Sequence, residues 1–241
     1  MTTDVTALDR ARTQGARALR AASALTAGAA EQLEAGRGAP SLKGDRILEW
    51  SFCCARLAPG PGSTLDFGAD TGFLSLAAAQ RGHSVVALDR LPPALDFEHP
   101  DVEPIQADIL DGPLSGRQFD QIINCSSVEH VGLAGRYGSS EEPDGDLRAM
   151  QVLRGLMSVT GRQIVTLPVG HDMVCAPYHR IYGKQRLPLL VDGYEVLEEQ
   201  YWVKDPVVDR WRRAERGEAL ATVGSARFYS LGLFVLRVDG S

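Results

Sequence analysis

The stretch STLDFGADTGFLSLAAAQRGHSVVALDR, residues 63–90, limits the fold more than any other part of the chain. TLDF is a short apolar run of strand type. A glycine turn follows it, GFLSLAAAQRG then has helical composition and stops at Gly82, and SVVALD is a second buried strand that ends in an acid. Strand, turn, helix and strand make one βαβ unit, which requires two parallel strands with a helix packed across them. A chain of 241 residues, 44% of them hydrophobic, holds one α/β domain with additions rather than two full domains.

The rest of the chain extends this unit. Residues 5–35 are rich in the strong helix formers Ala, Leu, Arg and Glu, and EAGRGAPSLKGD breaks that pattern. DRILEWSFCCARL resumes it, with Asp45 as N-cap and Ile47, Leu48, Phe52 and Leu57 as an apolar stripe. VEPIQADIL holds a third strand and FDQIINCSS a fourth. DGDLRAMQVLRGLMSVTG reads as an amphipathic helix ending at Gly161, and RQIVTLPV is a fifth strand. YEVLEEQYWV and FYSLGLFVLRV are the sixth and seventh, with the charged DPVVDRWRRAERGEAL between them as helix or loop. Alternating strands and helices predict a Rossmann-like α/β fold. Its sheet is seven-stranded and mostly parallel with an antiparallel last strand, and helices cover both faces; the last two strands, with no strong helix between them, favour an antiparallel addition at the sheet edge. Ligands of such sheets sit beyond the carboxyl ends of the strands, at the switch point. That places the weight on residues 68–72, Asp89, Asp108, 124–130 and 168–172.

Gly68 permits a tight turn and Gly72 permits close packing of the next helix. Asp89, about 20 residues further on, stands where a ribose-binding acid belongs in a dinucleotide fingerprint. Asp70, between the glycines, disagrees with a dinucleotide. A carboxylate there repels the pyrophosphate that such turns hold through their amides. A ligand with ribose and adenine, no phosphate and a positive charge suits the turn better, and S-adenosylmethionine has these features.

The ordered stretches LDFGADTG, VVALD, QADIL and FDQIINCSSVEHV resemble the class I S-adenosylmethionine-dependent methyltransferases, over residues 47–238. The resemblance implies S-adenosylmethionine as cofactor. Asp66, Gly68, Ala69, Asp70 and Gly72 would form its turn, Asp89 and Arg90 would lie at the ribose, Asp108 and Ile109 at the adenine, and Asn124 and Cys125 at the end of strand four. The family's usual residue at position 70 is glycine. The resemblance also implies two parts: residues 1–44 as a helical extension that forms a lid, a packing helix or a homodimer contact, and residues 45–241 as the cofactor-binding domain.

NCSSVEHVGLAGRYGSSEEPDGDLRAM is similar to an S-x-E-H-x-G-L-G-R-Y-G signature of a poorly characterised bacterial branch of the family, with Ala134 inserted. That branch is linked to sugar, cell-surface and natural-product pathways. The signature brings candidate chemistry to the ligand end of the sheet. His130 is a base with a pKa near neutrality or a wall of the cofactor site. Tyr137 is a second catalytic candidate, and Glu129 and Arg136 are substrate contacts. Glu129 with His130 supplies too few oxygens for Mg²⁺, so no metal is expected. After strand five, TLPVGHDMVCAPYHRIYGKQRL adds His179 as an alternative base and His171, Asp172 and Tyr182 as substrate contacts, unless Arg180 and Tyr182 only anchor the next element. The expected reaction is methyl transfer to a polar small molecule, a sugar or natural-product intermediate, on oxygen before nitrogen. The alternatives are a non-catalytic or non-methylating protein that binds the same cofactor and, further off, an NAD-dependent oxidoreductase.

Composition sets the remaining limits. A formal net charge of −6 disfavours nucleic acid. No stretch approaches the ~20 apolar residues of a membrane helix, and the N-terminus lacks an apolar secretory core. The four cysteines, Cys53, Cys54, Cys125 and Cys175, show no metal or disulfide spacing, which suits reduced thiols in the cytoplasm.

Overall fold

The computed structural model describes residues 41–135 and 141–240. The expected N-terminal helices before residue 41, together with Arg136 and Tyr137, lie outside the described residues.

Helix α1 (Asp45–Arg56) leads into β1 (Gly62–Phe67), α2 (Phe73–Ala79), β2 (His83–Asp89) and β3 (Val102–Gln106). Then come β4 (Phe119–Cys125), α3 (Gly145–Gly155) and β5 (Met157–Val169). A hairpin of β6 (Met173–Cys175) and β7 (His179–Ile181) precedes α4 (Arg186–Leu190). The chain closes with β8 (Tyr194–Asp205), β9 (Arg210–Ala214), α5 (Arg216–Ala219) and β10 (Ser230–Val238). The main sheet has eight strands in the order β3-β2-β1-β4-β5-β10-β8-β9. The first five are parallel, and β10 runs antiparallel between β5 and β8.

The alternation of side chains along each strand builds two apolar layers. Leu65, Phe67, Val86, Leu88, Ile122, Val165, Leu167, Phe234 and Leu236 face α3, which contributes Ala149, Met150 and Leu153. Val85, Ala87, Ile123, Ile164, Leu231, Leu233 and Val235 face α1 and α2, through Phe52, Cys53, Leu74 and Ala78. Both faces of β1, β2, β4 and β5 are thereby covered, which explains their buried runs, whereas β3 at the sheet edge is largely exposed.

The structure departs from the sequence reading in five places. The last strand is antiparallel as expected, but it is inserted inside the sheet instead of added to its edge. The edge is β9, an eighth strand in the segment read as helix or loop. Its residues RWRRA are charged because an edge strand meets solvent. Helix α3 ends at Gly155, six residues before Gly161. From Met157 the chain pairs with Phe119, and Gly161 sits against Phe119 O at a register shift, where a side chain would not fit. No helix joins β2 to β3, because Pro92, Pro93 and Pro100 deprive that segment of N–H donors. A 3₁₀ turn, Ile109–Asp111, stands between β3 and β4. Finally, Gly44 with φ 93° precedes α1 in place of an Asp45 cap, and the buried face of α1 differs from the expected stripe. Ile47 is 72% exposed, whereas Glu49 is 1% exposed beside Phe52 and Cys53.

Candidate functional site

The parallel register brings Asp89 of β2 and Cys125 of β4 to the same edge of the sheet as the turn that follows Phe67. The chain leaves β1 for β2 on one side and later occupies β4 on the other, so this turn lies at the switch point. Gly68 and Ala69 both donate to Leu88 O, at 2.8 and 3.1 Å, which folds the turn over the end of β2. Gly68 has φ 78°, and a Cβ there would collide with Ser127. Gly72 has φ 80°, and its missing side chain leaves room for Leu95 and Phe97 of the β2–β3 segment. Asp70 also adopts a left-handed backbone, φ 48°. Aspartate is among the few residues that tolerate this conformation, so the loop keeps a glycine-like path while carrying an exposed carboxylate.

The acids gather around that turn. Asp89 accepts from the Asp70 N–H at 3.0 Å and from the Leu91 N–H at 2.9 Å, which fixes its carboxylate at the crevice. Asp66 is buried below and accepts from Ser75 Oγ at 2.6 Å, so it anchors α2 from beneath the turn. Burial, with Asp89 and Asp70 nearby, pushes the Asp66 carboxyl up to about 6. Arg90 forms an ion pair with Asp108, which also accepts from the Leu110 N–H at 2.9 Å. Ile109 is buried in the apolar layer beneath. Asn124 is likewise fully buried, and its Oδ1 accepts from Val128 N–H at 3.2 Å.

On the other side of the switch point, β4 ends in Cys125, Ser126 and a 3₁₀ turn, Val128–His130. Ser126 has φ 48°, a strained backbone for serine. From that position its hydroxyl donates to Glu49 Oε1 on α1. Thr166 Oγ1 of β5 donates to the same oxygen at 2.9 Å, and Arg46 Nη1 donates to Glu49 Oε2 at 2.9 Å. Glu129 is 2% exposed. Burial first, and Glu49 second, push its carboxyl up to about 8. Its Oε1 lies 3.8 Å from His130 Nε2, and His130 Nδ1 lies 2.5 Å from Tyr178 O. The His179 ring stands edge-on to His130, with centroids 6.4 Å apart, and to Tyr229 at 5.1 Å. The Tyr229 phenol is held well above its usual range by burial and by Glu49, Asp45 and Glu129.

His130, His179 and Glu129 therefore come together, as do Gly68, Asp70, Gly72 and Asp89. Tyr182 and Asp172 join neither group. The Tyr182 hydroxyl donates to Asp146 Oδ2 at 3.1 Å inside the core. Asp172 accepts from the N–H groups of Gly183, Gln185 and Arg186 at 2.7–3.0 Å, closing the turn before α4. His171 is exposed, and its N–H donates to Thr222 O. The sequence reading missed Arg46, Glu49, Ser126, Thr166 and Tyr229. Glu49 had a signal: it stands at i−3 and i−4 from the buried pair Phe52 and Cys53. Among the described residues there is no group of three or more His, Cys, Asp or Glu able to hold a metal ion, and no helix long and apolar enough to cross a membrane.

Known proteins share this architecture. The family described as "Methyltransferase domain" matches residues 65–144, and "Caenorhabditis protein of unknown function, DUF268" matches residues 114–206. No curated protein sequence matches the chain. Among solved structures, the 1,6-didemethyltoxoflavin-N1-methyltransferase of Burkholderia thailandensis, with its substrate and S-adenosylhomocysteine bound, is similar at 16% identity and TM-score 0.51. That match covers 91% of this chain and 90% of that one. The N-methyltransferase NodS of Bradyrhizobium japonicum, with S-adenosyl-L-homocysteine, is similar at 13% identity and TM-score 0.55, over 82% and 88%. A TehB-like SAM-dependent methyltransferase of Corynebacterium glutamicum is similar at 17% identity and TM-score 0.51, over 91% and 100%. The chain thus has the Rossmann-like α/β fold of S-adenosylmethionine-dependent methyltransferases, with a mostly parallel sheet and an antiparallel last strand.

Proposed function

We propose that the protein is an S-adenosylmethionine-dependent methyltransferase acting on a polar small molecule. The observation that carries this reading is the set of carboxyl groups at the switch point. Asp66, Asp70 and Asp89 lie close enough for the latter two to raise the first, and the nearby Arg90 is engaged by Asp108. Such a set suits a cationic ligand without phosphate and opposes a diphosphate. When bound there, S-adenosylmethionine supplies a sulfonium methyl group to a nucleophilic atom.

The chain's own residues have distinct parts in this reading. Asp89, fixed by two backbone amides, holds the ribose hydroxyls. The turn at residues 68–72 and the end of β4 carry the methionyl part. Alignment of donor and acceptor supplies most of the acceleration. His130 Nδ1–H donates to Tyr178 O, so in the neutral ring Nε2 keeps a lone pair that can accept a proton. A hydroxyl acceptor on a sugar or natural-product intermediate is the form of the reaction these histidines favour. The four cysteines are free thiols, which supports a reducing compartment, the cytoplasm.

A second reading, a non-catalytic chain with the same fold, draws on the Arg90–Asp108 pair, which engages the acid expected at the adenine. Thermal shift separates the two. S-adenosylmethionine and S-adenosylhomocysteine should each raise the melting temperature, and NAD should not. A shift with NAD alone, or with none of the three, would overturn the methyltransferase reading. By calorimetry, Asp89→Ala should weaken S-adenosylhomocysteine at least about tenfold, the loss of one to two charge-assisted hydrogen bonds.

A further inference from the structure

The loop after β4 is held by a residue from another part of the chain. Ser126 is buried and has φ 48°, a left-handed backbone that strains any residue with a Cβ. Glycine takes such a backbone freely, as Gly68 and Gly72 do in the neighbouring turn. Serine at this position adds a hydroxyl that glycine lacks, and the hydroxyl is used. It donates to Glu49 Oε1 on α1. The Ser126 N–H donates to Thr166 O at 3.0 Å and lies 3.1 Å from Thr166 Oγ1. Thr166 Oγ1 donates to the same Glu49 oxygen at 2.9 Å. One carboxylate oxygen of α1 therefore fastens both β5 and the strained residue after β4.

Glu49 itself has a firm seat. Arg46 Nη1 donates to its Oε2 at 2.9 Å from the preceding turn of the helix. Phe52 and Cys53, one turn further on, pack in one apolar layer with Ile123 of β4 and Ile164 of β5. What Glu49 fastens reaches the crevice. Ser127 follows Ser126 directly, and its Oγ occupies the space that a Cβ on Gly68 would need. The Val128–His130 turn comes next, its first N–H bonded to Asn124 Oδ1 at 3.2 Å. A change of backbone at Ser126 would lift Ser127 from the glycine turn and redirect His130.

We propose that Glu49 is a positioning residue for the cofactor crevice: through Ser126 it holds the loop after β4 against the glycine turn. This rests on the methyltransferase reading and gives α1 a part in it. Glu49 is buried, so it acts through the residue it holds rather than by contact with a ligand. A carboxylate suits the task, because one oxygen accepts two hydroxyls and bonds to an ionised acceptor are about twice as strong as neutral ones. A glutamine keeps an oxygen for the same two hydroxyls. An alanine keeps none and leaves Ser126 with its strain and without the bond that offsets it.

Calorimetry with S-adenosylhomocysteine tests this without turnover, on variants first shown to be folded by their thermal transitions. Glu49→Ala should weaken the ligand at least about tenfold, and Glu49→Gln should stay within about threefold of wild type. Ser126→Gly frees the backbone and deletes the hydroxyl, and it should lose about as much as Glu49→Ala. Both changes remove one and the same bond, so the double variant should be within about threefold of the weaker single one. A residue that served only the fold would lower the melting temperature and leave the affinity of the folded protein unchanged. Wild-type affinity in Glu49→Ala, an equal loss in Glu49→Gln, or losses that multiply in the double variant overturns the positioning role and leaves methyl transfer standing. No binding by the wild type overturns both. Where Glu49→Ala does not fold, Ser126→Gly decides alone, and unchanged affinity in it overturns the proposal.

Discussion

Two clusters of buried charge flank the loop after β4, and they are built on opposite terms. In the first, Asp146 is fully buried and accepts from the Tyr182 hydroxyl and from Arg186 Nε at 2.9 Å. Arg180, equally buried, donates to the carbonyls of Val131, Glu142 and Pro143 and lies 3.7 Å from Asp146. Each charge there has an opposite charge and a set of hydrogen bonds. In the second cluster, Arg46 pairs with Glu49, Glu49 raises the Glu129 carboxyl, and Glu129 Oε2 meets no donor among the described residues. The first cluster ties β7 and α4 to the loop and has no capacity left for a ligand. Burial of a charged side chain therefore does not by itself mark a site, since the first cluster is fully engaged in holding the fold.

The same chemical change at the two carboxylates gives the sharpest test. Asp146→Asn removes the counter-charge of the buried Arg180 and should cost about 3–5 kcal/mol in denaturant unfolding. A loss below about 1 kcal/mol would mean that the carbonyls alone hold Arg180. Glu129→Gln should act in the other direction. A carboxyl raised from 4.5 to about 8 holds its proton longer in the folded state than in the unfolded one. Wild-type stability should therefore fall as pH rises from about 4.5 to 8, by a few kcal/mol at about 1.4 per pKa unit, and stay low above that. Glu129→Gln should flatten this slope and exceed the wild type in stability at pH 9. An unchanged slope in the variant removes Glu129 as its source. Asp66, raised to about 6, adds a smaller decline of the same sign between about 4 and 6 that persists in the variant. The smallest effect belongs to Asp70→Gly. Glycine adopts φ 48° without strain but gains freedom when unfolded, so stability should change by less than about 1 kcal/mol. Loss of the exposed charge should weaken S-adenosylmethionine by no more than about threefold. A larger loss would give Asp70 a direct role in binding.

These contrasts also show what was legible before the structure. The β1–turn–α2–β2 unit was legible because local patterns settle it: apolar runs, two glycines and a terminal acid. Boundaries set by distant partners were not. MSVTG continues a helical pattern in sequence, yet Met157 is strand because Phe119, on another strand, pairs with it. RWRRA lacks strand character except as a charged edge beside β8. The acids after β2 and β3 could be placed from spacing, but nothing local said that Arg90 would engage Asp108. Of the histidines, His130 and His179 meet because the β6–β7 hairpin folds back to the β4 loop, a contact across 49 residues that no short window contains. Glu49 was not singled out from the sequence, because the hydroxyls that hold it in the interior come from Ser126, just after β4, and Thr166 of β5, far along the chain.

That last tie sets an order in time. Glu49 is 77 residues ahead of Ser126 and 117 ahead of Thr166. On a ribosome its helix is made before every described strand of the sheet, but its carboxylate lacks Thr166 until β5 has been synthesised and paired. That helix waits for its full set of buried partners until about half of the chain has followed it. A chain stalled before β5 would carry the glycine turn, Asp89, Glu49 and Glu129, but Glu49 would lack the Thr166 hydroxyl that holds it in the interior.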